Sequence, residues 1–257
     1  MTPVHAIIAK ELRSYFVSPI VYVVGAVFLL SFGVLSYLLV QIASALALRQ
    51  MQIQGAAAQL NLNELFFRPV FYWTGFLIFL ILLPLLTMRL FAEERKLRTF
   101  ELLMTTPIGI NEIVVGKFLS VYLVFLGLLG LTGVVPLILS AFSSFDWNPV
   151  LTGYLGLVLM GALFLATGVF ASALTENQII AALLSFGLLF LLWLLGVMGA
   201  NLGDTTLGNV LSYLSFGEHF DHLLRGLIDT KDVVYYVSGM FLMLFLSHRV
   251  VEAQRWK

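Results

Sequence analysis

Met88 to Lys117 reads MRLFAEERKLRTFELLMTTPIGINEIVVGK, which sets Arg89, Glu93, Glu94, Arg95, Lys96, Arg98, Glu101, Glu112 and Lys117 between two strongly apolar runs. Nine of the chain's 28 formal charges fall in this stretch. A charge at the centre of a bilayer costs roughly 2.5–3.5 kcal/mol on insertion scales, so the block is expected in water or among headgroups. From Glu93 to Met104 the apolar positions Leu97, Phe100, Leu103 and Met104 recur at three- and four-residue spacing, and Glu94 and Arg98 are placed for an i,i+4 pair. Thr105-Thr106-Pro107 then breaks the helix and can open another. Residues 89–117 therefore read as a helical hairpin whose tip offers an apolar, polar-rimmed surface. The plainer reading is a solvated helical connection between two spans.

Composition agrees with spans on either side. The 257 residues are 60% hydrophobic and 11% charged, against about 25% charged in soluble domains, and mean hydropathy is +1.00. This is an integral membrane protein, with room for five to seven helices at about 20 residues per span and for no sizeable soluble domain. Net charge is zero, so nothing argues for a nucleic-acid partner. The absence of cysteine excludes disulfides, thiolate metal sites and cysteine nucleophiles.

Working outward, residues 1–18 place Val4, Ile7, Ile8, Leu12, Tyr15 and Phe16 on one helical face and His5, Lys10, Glu11, Arg13 and Ser14 on the other, as in a helix lying in the membrane interface. Uncharged runs long enough to span follow at Ile20 to about Ala43, Pro69–Met88 (with Pro84 expected to kink it), Phe118–Phe142, Val150–Leu174 and Ile179–Ala200. The first run is too long for the apolar region of a signal peptide, so a retained span is expected. Residues 44–68 read as a loop. Gly127, Gly130 and Gly133, and the pairs Ala162/Ala166 and Gly168/Ser172, would admit close helix packing. Thr175-Glu176-Asn177-Gln178 has the form of a capping box opening the fifth span.

Residues 201–232 carry a helical apolar repeat, but a full span there would bury Glu218, Asp221 and Arg225 at a cost of order 8–10 kcal/mol. Two short helices dipping into the outer face are expected instead. The last span, from Val233, has 16 uncharged residues before Arg249. With the N-terminus inside, ten Lys and Arg fall on the inner side and four on the outer, which supports six spans with both ends cytoplasmic.

Little in the chain suggests catalysis. His219 and His222 are the one pair that could tempt a metalloenzyme reading, yet there is no HExxH pattern and no third distant His or Cys, so no metal is expected. No GxxxxGK[ST] loop is present, so ATP should not bind in the P-loop manner and no cofactor is expected in this chain. No span carries an ionisable residue near its centre, which weakens an ion- or proton-coupled carrier, and the alternative class is an ATP-independent channel or secondary carrier.

The stretch from Asn63 to Lys117, with Phe66-Phe67, Pro84, Met88, the AEER of Ala92–Arg95, the TFELL of Thr99–Leu103, Pro107 and Gly116-Lys117, resembles the permease subunits of ABC-2 type transporters. It is most similar to their gliding-motility-associated branch, which also carries the TENQ found at 175–178, although that family usually has glycine where this chain has Arg98. The resemblance implies an all-α fold over a single transmembrane domain, 1–257, of six transmembrane helices. It would comprise an N-terminal elbow helix (1–18), a cytoplasmic coupling hairpin (89–117) between spans 2 and 3, and re-entrant outer-face helices (201–232) before span 6. It further implies a non-catalytic exporter subunit of a bacterial inner membrane, with cytoplasmic ABC ATPase subunits holding ATP and Mg. A second permease copy or homologous permease, the lipid bilayer and an accessory extracytoplasmic subunit complete the implied partners. Carried onto this chain, the ATPase-docking residues would be Glu94, Arg98, Thr99, Glu101, Met104, Thr105, Pro107 and Ile108.

Overall fold

A computed structural model describes residues 3–54, 61–100, 108–203 and 205–254, and among these every regular element is helical. The order is α1 (Pro3–Val17), α2 (Pro19–Gln54), α3 (Arg68–Trp73), α4 (Phe79–Thr87), α5 (Ala92–Lys96), α6 (Ile110–Thr132), α7 (Val134–Phe142), α8 (Trp147–Leu174), α9 (Gln178–Leu202), α10 (Thr206–Leu214), α11 (Phe216–Leu224) and α12 (Thr230–Gln254). Wider π-helical turns, Asn63–Phe67 and Thr74–Ile78, precede and follow α3, so that residues 63–96 run as one nearly continuous rod. Among the described residues, six such runs are long and apolar enough to cross a membrane: Pro19–Arg49, Asn63–Lys96, Ile110–Phe142, Trp147–Leu174, Gln178–Leu202 and Thr230–Gln254.

The core is built around α8. It is buried along most of its length and packs on α4, α6, α9, α11 and α12. Small residues make this possible: a Cβ on Gly161 would collide with the ring of Phe125, and one on Gly168 with the side chain of Thr87. The small-residue face at Ala162, Ala166, Gly168 and Ser172 is thus consumed inside the subunit, all four being buried. The expectation for α6 differs. A Cβ on Gly127 or Gly130 would meet nothing within 4 Å, so no neighbouring helix among the described residues packs closely on those two glycines.

Several boundaries move. The first span does not give way to a loop at residue 44 but stays helical to Gln54. Pro84 sits inside α4, whose C-terminal end is closed by Met88 N donating to Pro84 O at 2.9 Å, and the departures from α geometry lie upstream in the two π segments rather than at the proline. The third span begins at Ile110, eight residues before the apolar run, so Glu112 and Lys117 belong to α6 and not to a loop. Glu112 reaches back to the Gly109 N–H at 3.0 Å and fixes that start.

The turn between α8 and α9 is tight, but not through the expected capping box. Asn177 is the N-cap, its Oδ1 accepting from Ile179 N and Ile180 N, while Thr175 Oγ1 accepts from Asn177 N. Residues 206–224 do form two short helices, α10 and α11, each opened by a hydroxyl cap, Thr205 on Gly208 N and Ser215 on Gly217 N.

Candidate functional site

Rather than lying in solvent, the start of the charged block is folded into the subunit. Leu90, Phe91 and Ala92 are buried, and so is Arg89, whose guanidinium lies 4.5 Å over the ring of Tyr15. Helix α5 begins there without a side-chain cap of its own. Its free N–H groups are met from α8: Ser172 Oγ accepts from Phe91 N (3.0 Å) and Ala92 N (3.1 Å), and donates to Met88 O (3.0 Å). A serine in the last turn of another helix thereby does the work of an N-cap, which no local pattern announces.

One turn on, Glu94 enters a charge cluster drawn from three elements. Its carboxylate contacts Lys10 of α1 at 2.8 Å and Lys117 of α6 at 2.9 Å, and Lys117 in turn contacts Glu11 of α1 at 2.9 Å. The Lys117 ammonium also donates to Leu90 O at 2.7 Å and lies 5.2 Å from the Phe91 ring centre. Only 1% of the Lys117 side chain is exposed, so this charge survives burial because two carboxylates and a carbonyl surround it. Partial burial works against the Lys10 charge, but Glu94 and then Glu11 outweigh it and raise the Lys10 pKa above the ordinary lysine value.

Two sequence expectations are corrected here. Glu11 belongs to the buried stripe Ile7, Glu11, Tyr15 that packs α1 on α6, not to a solvated face, because Lys117 receives it. Glu94 pairs with Lys10 and Lys117 instead of Arg98.

The helix expected from Glu93 to Met104 is interrupted. Helix α5 stops at Lys96, Leu97 takes φ −85° and ψ 0°, and Arg98 takes φ 55°, the one positive φ at a non-glycine residue among those described. That is a left-handed conformation in which glycine carries no penalty and a side chain does, and it falls at the position where the family resemblance implies glycine. Thr99 Oγ1 donates to Glu94 O at 3.2 Å and gives one terminal carbonyl of α5 a partner. After the break the apolar stripe splits: Leu97 is 63% exposed, whereas Phe100 is buried against Phe91. Helical structure resumes at Thr99 and Phe100. Of the residues singled out for docking, Glu94 is within the charge cluster, Arg98 and Thr99 are exposed at the break, and Ile108 is partly buried against the core just before α6. Glu101, Met104, Thr105 and Pro107 lie outside the described residues.

The α5 segment is also tied to α8, the α8–α9 turn and α12. Arg95 donates to Ala173 O at 2.9 Å and approaches Glu176 at 3.4 Å, and Gln254 near the end of α12 donates to the same Ala173 carbonyl at 3.0 Å. Residues 89–98 thus contact α1, α6, α8 and the α8–α9 turn directly, and share one carbonyl with α12.

At the opposite end of α12, the two histidines meet Asp232, which is fully buried in the first turn of that helix. His219 Nδ1 lies 2.7 Å from Asp232 Oδ1 and its Nε2 lies 3.0 Å from Tyr213 O, while His222 Nδ1 lies 3.0 Å from Asp232 Oδ2. Both nitrogens of His219 therefore face protein acceptors, and neither is free to bind a metal. Asp232, which the sequence reading left out of this group, makes it a latch between α11 and α12.

The family model described as ABC-2 family transporter protein matches residues 5–251. A search of curated proteins finds no match. The match covers nearly the whole chain and coincides with six apolar helices of spanning length, and this protein is a multi-pass membrane protein belonging to the ABC-2 transporter family.

Proposed function

We propose that the chain is the non-catalytic permease subunit of an ATP-driven exporter in a bacterial inner membrane, with both termini cytoplasmic and its energy supplied by a separate ABC ATPase. The observation that carries this reading is the clamping of residues 89–98 to α1, α6, α8 and the α8–α9 turn, because a docked ATPase needs a lever that moves several spans at once. In this account the segment beyond Arg98, with Met104, Thr105, Pro107 and Ile108, fills a groove on the ATPase. Glu94 and Arg95 pass its displacement to the bundle. Helix α1 serves as an interfacial elbow, and α10 and α11 as re-entrant outer-face helices. A second permease, identical or homologous, completes the translocation path, an accessory extracytoplasmic subunit attends the outer face, and the loop motifs favour the gliding-motility branch.

Orientation is the first requirement. Ser143 and Asn177 are both exposed and lie at opposite ends of α8, and the chain has no native cysteine. In intact cells, Ser143→Cys is expected to react with a membrane-impermeant thiol reagent added outside, and Asn177→Cys only after permeabilisation. The reverse pattern would put the charged hairpin on the side that holds no ATPase and would end this reading.

A further inference from the structure

A cavity of about 420 Å³ opens among the outer-end elements and is lined by Tyr72, Phe76, Trp193, Phe216, Phe220 and Glu218, together with smaller residues. Tyr72 lies in α3, Phe76 in the second π segment, Trp193 in α9, and Phe216 and Phe220 in α11, so four elements each supply an aromatic wall. Tyr72 stacks on Phe76 with ring centres 6.0 Å apart, and Phe76 meets Trp193 at 4.8 Å. The approach of α9 to α10 and α11 depends on Gly196, where a Cβ would collide with Ser215.

Glu218 is the one charged residue in the lining. It is exposed, and among the described residues no Lys, Arg or His side-chain nitrogen comes within 4.0 Å of it. The cations of the surrounding helices are engaged elsewhere, Arg68 and Arg225 by Asp221 and Lys231 by Asp229. An apolar void needs no carboxylate, and a solvated carboxylate needs no aromatic box. Together they form the combination that recognises an organic cation, since π faces attract positive charge and a single anion fixes its position.

We propose that this cavity binds a free organic monocation with an apolar body, of the quaternary ammonium class, its charge held by Glu218 and its apolar body set among the aromatic rings that line the cavity. The volume is at the small end of ligand pockets, roughly 300–1,000 Å³, which suits a compact cation rather than a two-chain lipid. This assignment is independent of the ATPase reading, because the site lies within one subunit.

The test uses the full chain in an uncharged maltoside micelle and equilibrium dialysis with labelled benzyltrimethylammonium. Saturable binding of one equivalent is expected, weakened at least tenfold by Glu218→Gln and by Trp193→Leu in protein whose thermal unfolding and gel-filtration profile are unchanged. Neopentylbenzene, the neutral carbon isostere, should compete at least tenfold more weakly than the unlabelled cation. Hexylphosphocholine should also compete more weakly, because its phosphate brings a second anion toward Glu218. Absence of saturable binding, full binding by folded Glu218→Gln, or equal competition by the isostere would each overturn the proposal. Equal or stronger competition by hexylphosphocholine would reassign the site to a lipid headgroup and overturn the assignment to a free cation.

Discussion

Replacing Lys117 by methionine is expected to destabilise the folded subunit by about 3–5 kcal/mol, the usual cost of removing one partner from a buried ion pair. The methionine fits the space, so the loss comes from charge. Glu11 and Glu94 would be left facing each other with only Lys10 between them, and Leu90 O would lose the donor that now lies at 2.7 Å. The measurement is the thermal unfolding midpoint in detergent, read beside the yield of monodisperse protein. Adding Glu11→Gln and Glu94→Gln to Lys117→Met should recover a large part of the loss, because the unpaired acids are then neutral. A single variant as stable as the parent, or a triple variant worse than the single one, would show that this cluster does not hold α5 to α1 and α6.

The second large effect is expected at Asp232. Its two carboxylate oxygens join His219 and His222 of α11 to the start of α12, and the pair is further closed by Tyr235 stacking on the His219 ring with centres 4.1 Å apart. Asp232→Ala removes both contacts and leaves two imidazole nitrogens without their acceptor, at about 3 kcal/mol in all; Asp232→Asn, which keeps the shape and one oxygen, should cost roughly half. Because α10 and α11 pack mainly on α8 and α9, the loss should appear first as local opening. Hydrogen exchange resolved by peptide is the suitable readout. Protection should fall across residues 206–224 in Asp232→Ala and hold in α8. Unchanged protection in α11 would mean that this helix is secured by its apolar face, Phe216, Phe220, Leu223 and Leu224, without the latch.

The parts of this molecule that sequence made legible are those controlled by short-range pattern. Six apolar runs, the two short helices at 206–224 and the tight α8–α9 turn follow from run length, periodicity and the cost of burying charge. Element ends were less legible, since polar residues do not stop a helix: α2 continues through a weakly charged, Gln- and Ala-containing stretch to Gln54, and α6 begins among charges at Ile110. Arg98 is instructive, because its propensity is helical and its observed φ of 55° is not. The glycine that the family resemblance implies at that position was the available signal of a break.

The site itself was largely illegible for a different reason. Lys10 and Glu94 are 84 residues apart, Glu11 and Lys117 are 106 apart, and Ser172 caps a helix 81 residues upstream of itself. Each residue looks unremarkable in its own helix, and the chemistry exists only once the helices are packed. For Glu11 the periodicity pointed the wrong way: it treats any acid as solvent-facing, whereas a buried acid with a lysine opposite belongs inside.

If the segment beyond Arg98 docks a separate ATPase that drives the permease, disrupting that segment should release the ATPase. The most direct measurement is co-purification of the ATPase that accompanies the native complex, using Met104→Asp and Ile108→Asp permeases, with the unfolding midpoint of each permease recorded alongside. Docking anchors commonly cost 2 kcal/mol or more when lost, around thirtyfold in affinity. Folded, membrane-inserted permeases are expected, with the ATPase lost by about that factor. Undiminished association of the ATPase with both variants would contradict it and would place the docking surface elsewhere, with the exposed turn at Thr175 to Gln178 as the next surface to test.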